Sequence, residues 1–263
     1  GNRKPRRLGA LFQHKGSSEC FYQPGLGSDE LCAFEMLPYD KFSGKFQSWA
    51  RQPPQADDGF VRQVLRDGMQ TQQRLGVNPF QLGFIGSTDT HLGTPGAVSE
   101  SEFYGHGGAG EPARVENSGA LVDDIEFNPG GLAAIWATEN SRDALFDAMR
   151  RRETYATSGP RIALRFFGGA ELDARLCESA DFVAQAYRQG VPMGGVLPAG
   201  ADPAIAPRFA FAAQRDVGTA GQAGVALQRL QVIKGWVTSD GSGHERIYEV
   251  AGDANNGASV DVN

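Results

Sequence analysis

Several residue types and patterns are scarce in this chain, and each scarcity narrows what it can be. There are 3 cysteines in 263 residues, and no two stand in a Cys-x-x-Cys spacing, which argues against a structural zinc ribbon. There are 4 histidines, too few for this chain alone to build a two-metal centre at about three or more protein ligands per metal. Lys and Arg number 25 against 31 Asp and Glu, for a net charge of -6. An acidic chain without a basic stripe is unsuited to nucleic acid, which needs clustered cations. The short basic opening, Arg3 to Arg7, reads as a solvated end. No apolar run approaches the roughly 20 residues needed to cross a bilayer, so no membrane partner is expected. Gly-x-Ser-x-Gly, a Walker loop and a dinucleotide fingerprint are also missing, which leaves serine-hydrolase and nucleotide chemistry without support.

Glycine is what the chain has in excess. Its 35 glycines are roughly twice the usual share of about 7%. That composition predicts many turns and long irregular loops rather than a helical bundle. Leu8 to Phe12 reads as a strand. Phe60, Val61, Val64, Leu65 and Met69 recur at helical spacing, with Asp57-Asp58 suited to the helix start and Gly76 to its C-cap. Leu82 to Gly86 follows as a short buried strand, and this helix–connection–strand order is that of a (β/α) unit. After a Gly-rich excursion over 92–130, residues 131–137 restore a buried strand. Asn140 or Ser141 then caps a helix through Ala144, Leu145, Ala148 and Met149, and Arg150-Arg151-Arg152 falls in its last turn. Beyond Pro160 the pattern changes to short β-rich runs at 161–167, 182–187, 209–213, 227–232 and 246–250, separated by glycine turns.

Asp89-Thr90-His91 lies just past the strand at 82–86. Strand alternation sends positions i and i+2 to one face, so a carboxylate and an imidazole would converge on one point. Oxygen and imidazole nitrogen together suit Zn, Mn or Fe; the bland alternative is a hydrogen-bonded Asp–His pair opening a loop. His14 also follows a strand, and if the strands at 8–13 and 82–87 are neighbours it opens onto the same face as Asp89. Lys15 beside it is placed to hold an anionic group. Loop anchoring by His14 and Glu19 is an equal alternative. His106 belongs to the Gly-rich excursion, and His244 lies next to an Asp-Gly turn and is expected to be exposed. Thr157-Ser158-Gly159-Pro160-Arg161 joins the two halves as a hinge, or binds an oxyanion through its hydroxyls and Arg161. Cys20 and Cys32 flank a Gly/Pro loop and are read either as a disulfide or as two buried thiols.

Longer phrases carry a resemblance. They are residues 13–20 (Gln-His-Lys-Gly-Ser-Ser-Glu-Cys), Asp29 to Cys32, Gly83 to His91, Gly130-Gly131-Leu132 with Trp136, Arg151 to Arg161, and Leu227 to Trp236. Together they resemble the DUF3604 family, a branch of the PHP (polymerase and histidinol phosphatase) metallohydrolase superfamily. The resemblance implies the C-terminal part of a distorted (β/α) barrel, here over 1–158; with the β-rich runs beyond it, read as a small antiparallel β-subdomain with a loose tail over 159–263, the expected class is α/β. The resemblance also implies a metal-dependent hydrolase of phosphoesters or related small-molecule esters. Asp89 and His91 match the late Asp-x-His ligand pair, and His14, Lys15 and Arg161 are candidates for substrate contact. The superfamily's opening His-x-His is not found in this chain, and the expected partner is therefore an upstream half of the same protein that carries it. Exported relatives imply a periplasmic or secreted location. The rival expectation is a non-catalytic binding or assembly module built on the β-rich region, or a fragment active only with that upstream half.

Overall fold

In the computed structural model, residues 8–14, 16–22, 32, 59–89, 95–98, 130–198 and 205–252 are described. The chain is mixed α/β and divides into two compact units, each assembled from separate stretches of sequence. The first comprises Gly1–Ala134, Ala156–Pro160 and Gly235–Glu245; the second comprises Ile135–Tyr155, Arg161–Lys234 and Arg246–Asn263. Among the described residues the strands form sheets of two or three strands, with no closed barrel.

The first unit is organised by β1 (Leu8–Gln13), which has a neighbour on each side. On one side it turns back antiparallel onto β2 (Gly16–Ser17), pairing Phe12 with Ser17 and Gln13 with Gly16. On the other it runs parallel to β3 (Gly83–Gly86), with the register Leu8–Gly83, Gly9–Phe84, Ala10–Ile85 and Phe12–Gly86. Helix α1 (Val61–Leu75) ends as its sequence predicts. Gly76 takes the left-handed conformation at φ 75°, and its N–H donates to the Gln72 carbonyl. Its start is capped by backbone rather than by a side chain: Val61 N–H and Arg62 N–H donate to the carbonyls of Ser18 and Glu19. These are two of the orphan donors every helix start must satisfy. Asp57 and Asp58 lie outside the described residues.

Cys20 and Cys32 form a disulfide with their Cα atoms 5.5 Å apart, which resolves the two readings of that pair. The two-stranded sheet of β4 (Leu132–Ile135) and β5 (Thr154–Thr157) brackets helix α2 (Arg142–Arg151) in sequence. Ser141 is the N-cap, its hydroxyl oxygen accepting from Ala144 N–H, with Asp143 in the first turn and Arg150 and Arg151 in the last. Arg152 stops the helix in a left-handed conformation at φ 65°.

In the second unit, β6 (Ala163–Gly169) is the central strand between β7 (Val191–Pro192) and β8 (Arg208–Gln214), antiparallel to both. The run at 182–187, read as a strand, is helix α3 (Phe182–Gln189). Its Phe182 and Ala186 are one helical turn apart and both face the core, so the relevant period is 3.6 and not 2. Gly190 ends it, its N–H bonding the Ala186 carbonyl. The core is Phe167, Leu172, Leu176, Ala186 and Ala210, with Phe182 edge-on to Phe167 at 5.8 Å. The later strands pair in chain order, the short β9 (Gly218–Thr219) with β10 (Gln222–Ala223) and the longer β11 (Arg229–Val237) with β12 (Gly243–Gly252), of which residues 235–245 belong to the first unit.

Candidate functional site

Because β1 and β3 are parallel neighbours, the residues following each emerge at the same edge of the sheet. His14 follows β1 directly, and Asp89 stands three residues beyond β3. A ladder of backbone hydrogen bonds carries the pairing past the strand ends. Ser87 N–H donates to the Phe12 carbonyl at 2.9 Å, and His14 N–H to the Thr88 carbonyl at 3.2 Å. The result brings His14 Nε2 to 3.7 Å from Asp89 Oδ2. The imidazole is fully buried, whereas the carboxylate is 48% exposed. A buried imidazole facing a half-exposed carboxylate makes a site that opens to solvent through its acidic member. Asp89 holds φ 53°, a conformation that aspartate and asparagine tolerate better than other non-glycine residues.

The edge is also closely packed around three glycines. A Cβ at Gly86 would stand 2.7 Å from the Leu132 carbonyl and 2.9 Å from that of Thr157; one at Gly131 would stand 2.4 Å from the Thr157 carbonyl. At Gly130, φ is +90° and a Cβ would meet Thr88 Cα at 2.7 Å. Gly131 N–H adds a bond to the Ser87 carbonyl. The ends of β1, β3 and β5 and the start of β4 thus crowd together, and only hydrogen fits at the crossing. Thr88 and Thr157 are both buried there. Composition and spacing did not single out these packing positions, although the Gly130-Gly131 doublet is their sequence signal.

Of the other predicted site residues, Lys15 and His91 lie outside the described residues, as does His106. Arg161 belongs to the second unit, where its backbone N–H donates to Asp216 Oδ2 at 2.7 Å. That bond and one from Gly218 N–H hold the Asp216 carboxyl below the usual carboxylate range. His244 is exposed, as expected. It stacks on Trp236 with centroids 5.3 Å apart and has Nε2 3.3 Å from the Thr238 hydroxyl, contacts that account for it structurally. Among the described residues no group of three or more His, Cys, Asp or Glu gathers in one place.

A divalent ion would find two donors of suitable type in His14 and Asp89. Two ligands on one tetrahedral zinc, at bond lengths near 2.1 Å, are about 3.4 Å apart. The observed 3.7 Å is compatible with that separation, and the remaining positions need further ligands.

A second polar cluster, not anticipated, lies in the other unit. Glu153 is buried and accepts a hydrogen bond from the Tyr187 hydroxyl, with Arg151 3.5 Å away on its second oxygen. Arg165 lies over the Trp136 ring at 3.3 Å and donates to the Tyr187 oxygen at 3.2 Å. Burial, and then the bond to Glu153, push the Tyr187 phenol above its ordinary value. Each polar group in this cluster has a protein partner, which marks it as internal bracing.

The family comparison bears on the whole chain. A model of DUF3604, described as a protein of unknown function, matches residues 3–262. The chain belongs to the DUF3604 family. No curated protein and no solved structure matches it. The longer phrases of this DUF3604 chain, from Gln13 to Trp236, all fall within the matched residues.

Proposed function

We propose that this DUF3604 chain forms part of a PHP-type, divalent-metal-dependent hydrolase acting on phosphoesters or related small-molecule esters. The observation that carries the reading is the His14–Asp89 pair, held 3.7 Å apart at the ends of parallel strands. Active sites of α/β barrels are built at that edge, and residues 1–158 are read as the C-terminal part of such a barrel, distorted, with 159–263 as a β-rich addition.

Asp89 and His91 would hold a Zn, Mn or Fe ion, with His14 beside them. When bound, such an ion lowers the pKa of its water and polarises the scissile group. The half-exposed Asp89 carboxylate offers oxygen to the solvent side, while the His14 ring is buried and its backbone is tied to Thr88. Lys15 is proposed to bind the anionic part of the ester, and Arg161 remains a separate candidate for substrate contact. A His-x-His region of the kind the resemblance implies would complete the ligand set. The Cys20–Cys32 disulfide supports a periplasmic or secreted location, because such bonds persist in oxidising compartments.

Metal content and turnover test the proposal. Protein purified without chelators is expected to contain stoichiometric divalent metal and to cleave aryl phosphomono- or diesters. Absence of metal, or equal activity in wild type and Asp89→Ala, overturns it.

One observation favours a second reading, a binding or assembly module in the β-rich region. On the β6–β8 sheet, Phe166 stacks on Phe211 at 4.9 Å and lies 5.7 Å from Phe209, which is 51% exposed. An accessible row of aromatic rings is a common feature of binding surfaces. Metal-free protein in which Phe209→Ser abolishes a partner interaction would select that reading.

A further inference from the structure

The stretch 16–20 after the His14 turn is held from outside the sheet in part by one guanidinium. Arg62, in the first turn of α1, donates through Nε and Nη2 to Glu19 Oε1 at 3.0 and 2.7 Å. Its Nη1 donates to Glu245 Oε1 at 3.1 Å, and Arg66 Nη1 reaches the other oxygen of Glu245 at 2.9 Å. The Arg62 side chain is 11% exposed, and its two carboxylate partners are 31% and 23% exposed. A charge so far removed from water is costly unless its donors are matched, and a planar fork between two carboxylates matches them.

The backbone runs along the same path. Val61 and Arg62 N–H groups cap onto Ser18 and Glu19, Ser18 N–H bonds the Leu11 carbonyl, and Cys20 next to Glu19 is tied to Cys32. The stretch 16–20 is therefore fixed to β1, to α1 and to the disulfide. His14 occupies the turn between β1 and this stretch, and its backbone N–H is tied across to Thr88.

We infer that Arg62 is a positioning residue for the His14–Asp89 pair, with Glu245 as the far anchor of the clamp. The assignment rests on reading that pair as the reacting site, but the clamp itself is measurable without turnover. Lysine at position 62 preserves the charge and loses the fork, so it separates geometry from simple ion pairing.

Amide hydrogen exchange on the 263-residue chain, followed by NMR, provides the test. Arg62→Met and Arg62→Lys are each expected to speed exchange at His14 and Ser18 by at least about tenfold, while Phe167 and Ala210, paired in the β6–β8 ladder, keep their protection. Glu245→Gln, which leaves the Glu19 bonds in place, is expected to speed the same amides by a smaller factor. With metal-loaded enzyme, Arg62→Lys should lower kcat with KM nearly unchanged. Unaltered exchange at His14 in Arg62→Met overturns the inference. So does full recovery of protection by lysine, or a uniform acceleration across both units. A wild-type protein without metal or turnover would sink the proposed function instead, and the exchange result would still decide the clamp.

Discussion

His14 Nε2 lies 3.7 Å from Asp89 Oδ2, one partner fully buried and the other 48% exposed. The relationship arises from chain direction. Two parallel neighbours finish at one edge, and a one-residue change in register would send one of the two side chains to the opposite face. Chemistry at this edge thus depends on backbone features that lie beneath it.

Asp89→Asn is the sharpest chemical probe of the pair. Asparagine tolerates φ 53° as aspartate does, so the backbone is retained while the charge is lost. Outer-shell partners of metal ligands are typically worth about 10–100-fold, so loss of the proposed Asp89 ligand is expected to reduce metal affinity or activity by at least ~100-fold. Metal titration and ester turnover check this, with thermal unfolding showing that the fold persists.

Gly131→Ala is expected to destabilise the first unit by about 1–3 kcal/mol, the usual cost of overpacking. The new methyl would stand 2.4 Å from the Thr157 carbonyl and 2.9 Å from Phe12 Cβ. Gly221→Ala is the control, since a Cβ there meets nothing within 4 Å. Denaturant midpoints of the two variants should diverge, with the control at or slightly above wild type.

Reducing the Cys20–Cys32 bond, or replacing both cysteines by serine, is expected to cost roughly 2–4 kcal/mol through the freed unfolded chain. Thiol counting gives a parallel check. Under non-reducing conditions one thiol, Cys177, should react, and all 3 cysteines should react after reduction and unfolding.

Asp240 should titrate low. Its carboxylate accepts from the Thr238 hydroxyl and from Ser242, which lowers its pKa to about 2 from 3.8. A depressed carboxylate pKa stabilises the fold above the unfolded value, and that contribution disappears as pH falls from near 4 toward 2. Side-chain carbon NMR should place the midpoint near 2, and Asp240→Asn should remove this part of the acid dependence.

Local chemistry made much of the fold legible. Gly76 as a left-handed C-cap, Ser141 as an N-cap and the arginines closing α2 each rest on a few adjacent residues, and the structure has all three. The run at 182–187 misled because Phe, Val and Tyr there are β-formers. Tertiary burial of Phe182 and Ala186 on one helical face decided otherwise. In the candidate site, Asp89 and His14 were visible as chemistry placed after strands, conditional on those strands being neighbours. The parallel pairing of β1 and β3 supplies that condition. Arg62, Glu19 and Glu245 could not be read as a clamp, because Arg62 and Glu245 are 183 residues apart and no local pattern records such a contact.

That separation also has a consequence for biosynthesis. Residues 235–245 belong to the first unit, so the unit cannot be completed from the N-terminal stretch alone. At about 5–20 residues per second, Glu245 leaves the ribosome roughly 10–35 s after Arg62. During that interval the nascent chain carries the arginine fork with one of its two acidic anchors still to be made. A truncation that ends near Pro160 would fix this unfinished state permanently, and the shortened chain is expected to be more protease-sensitive around α1 than the intact one.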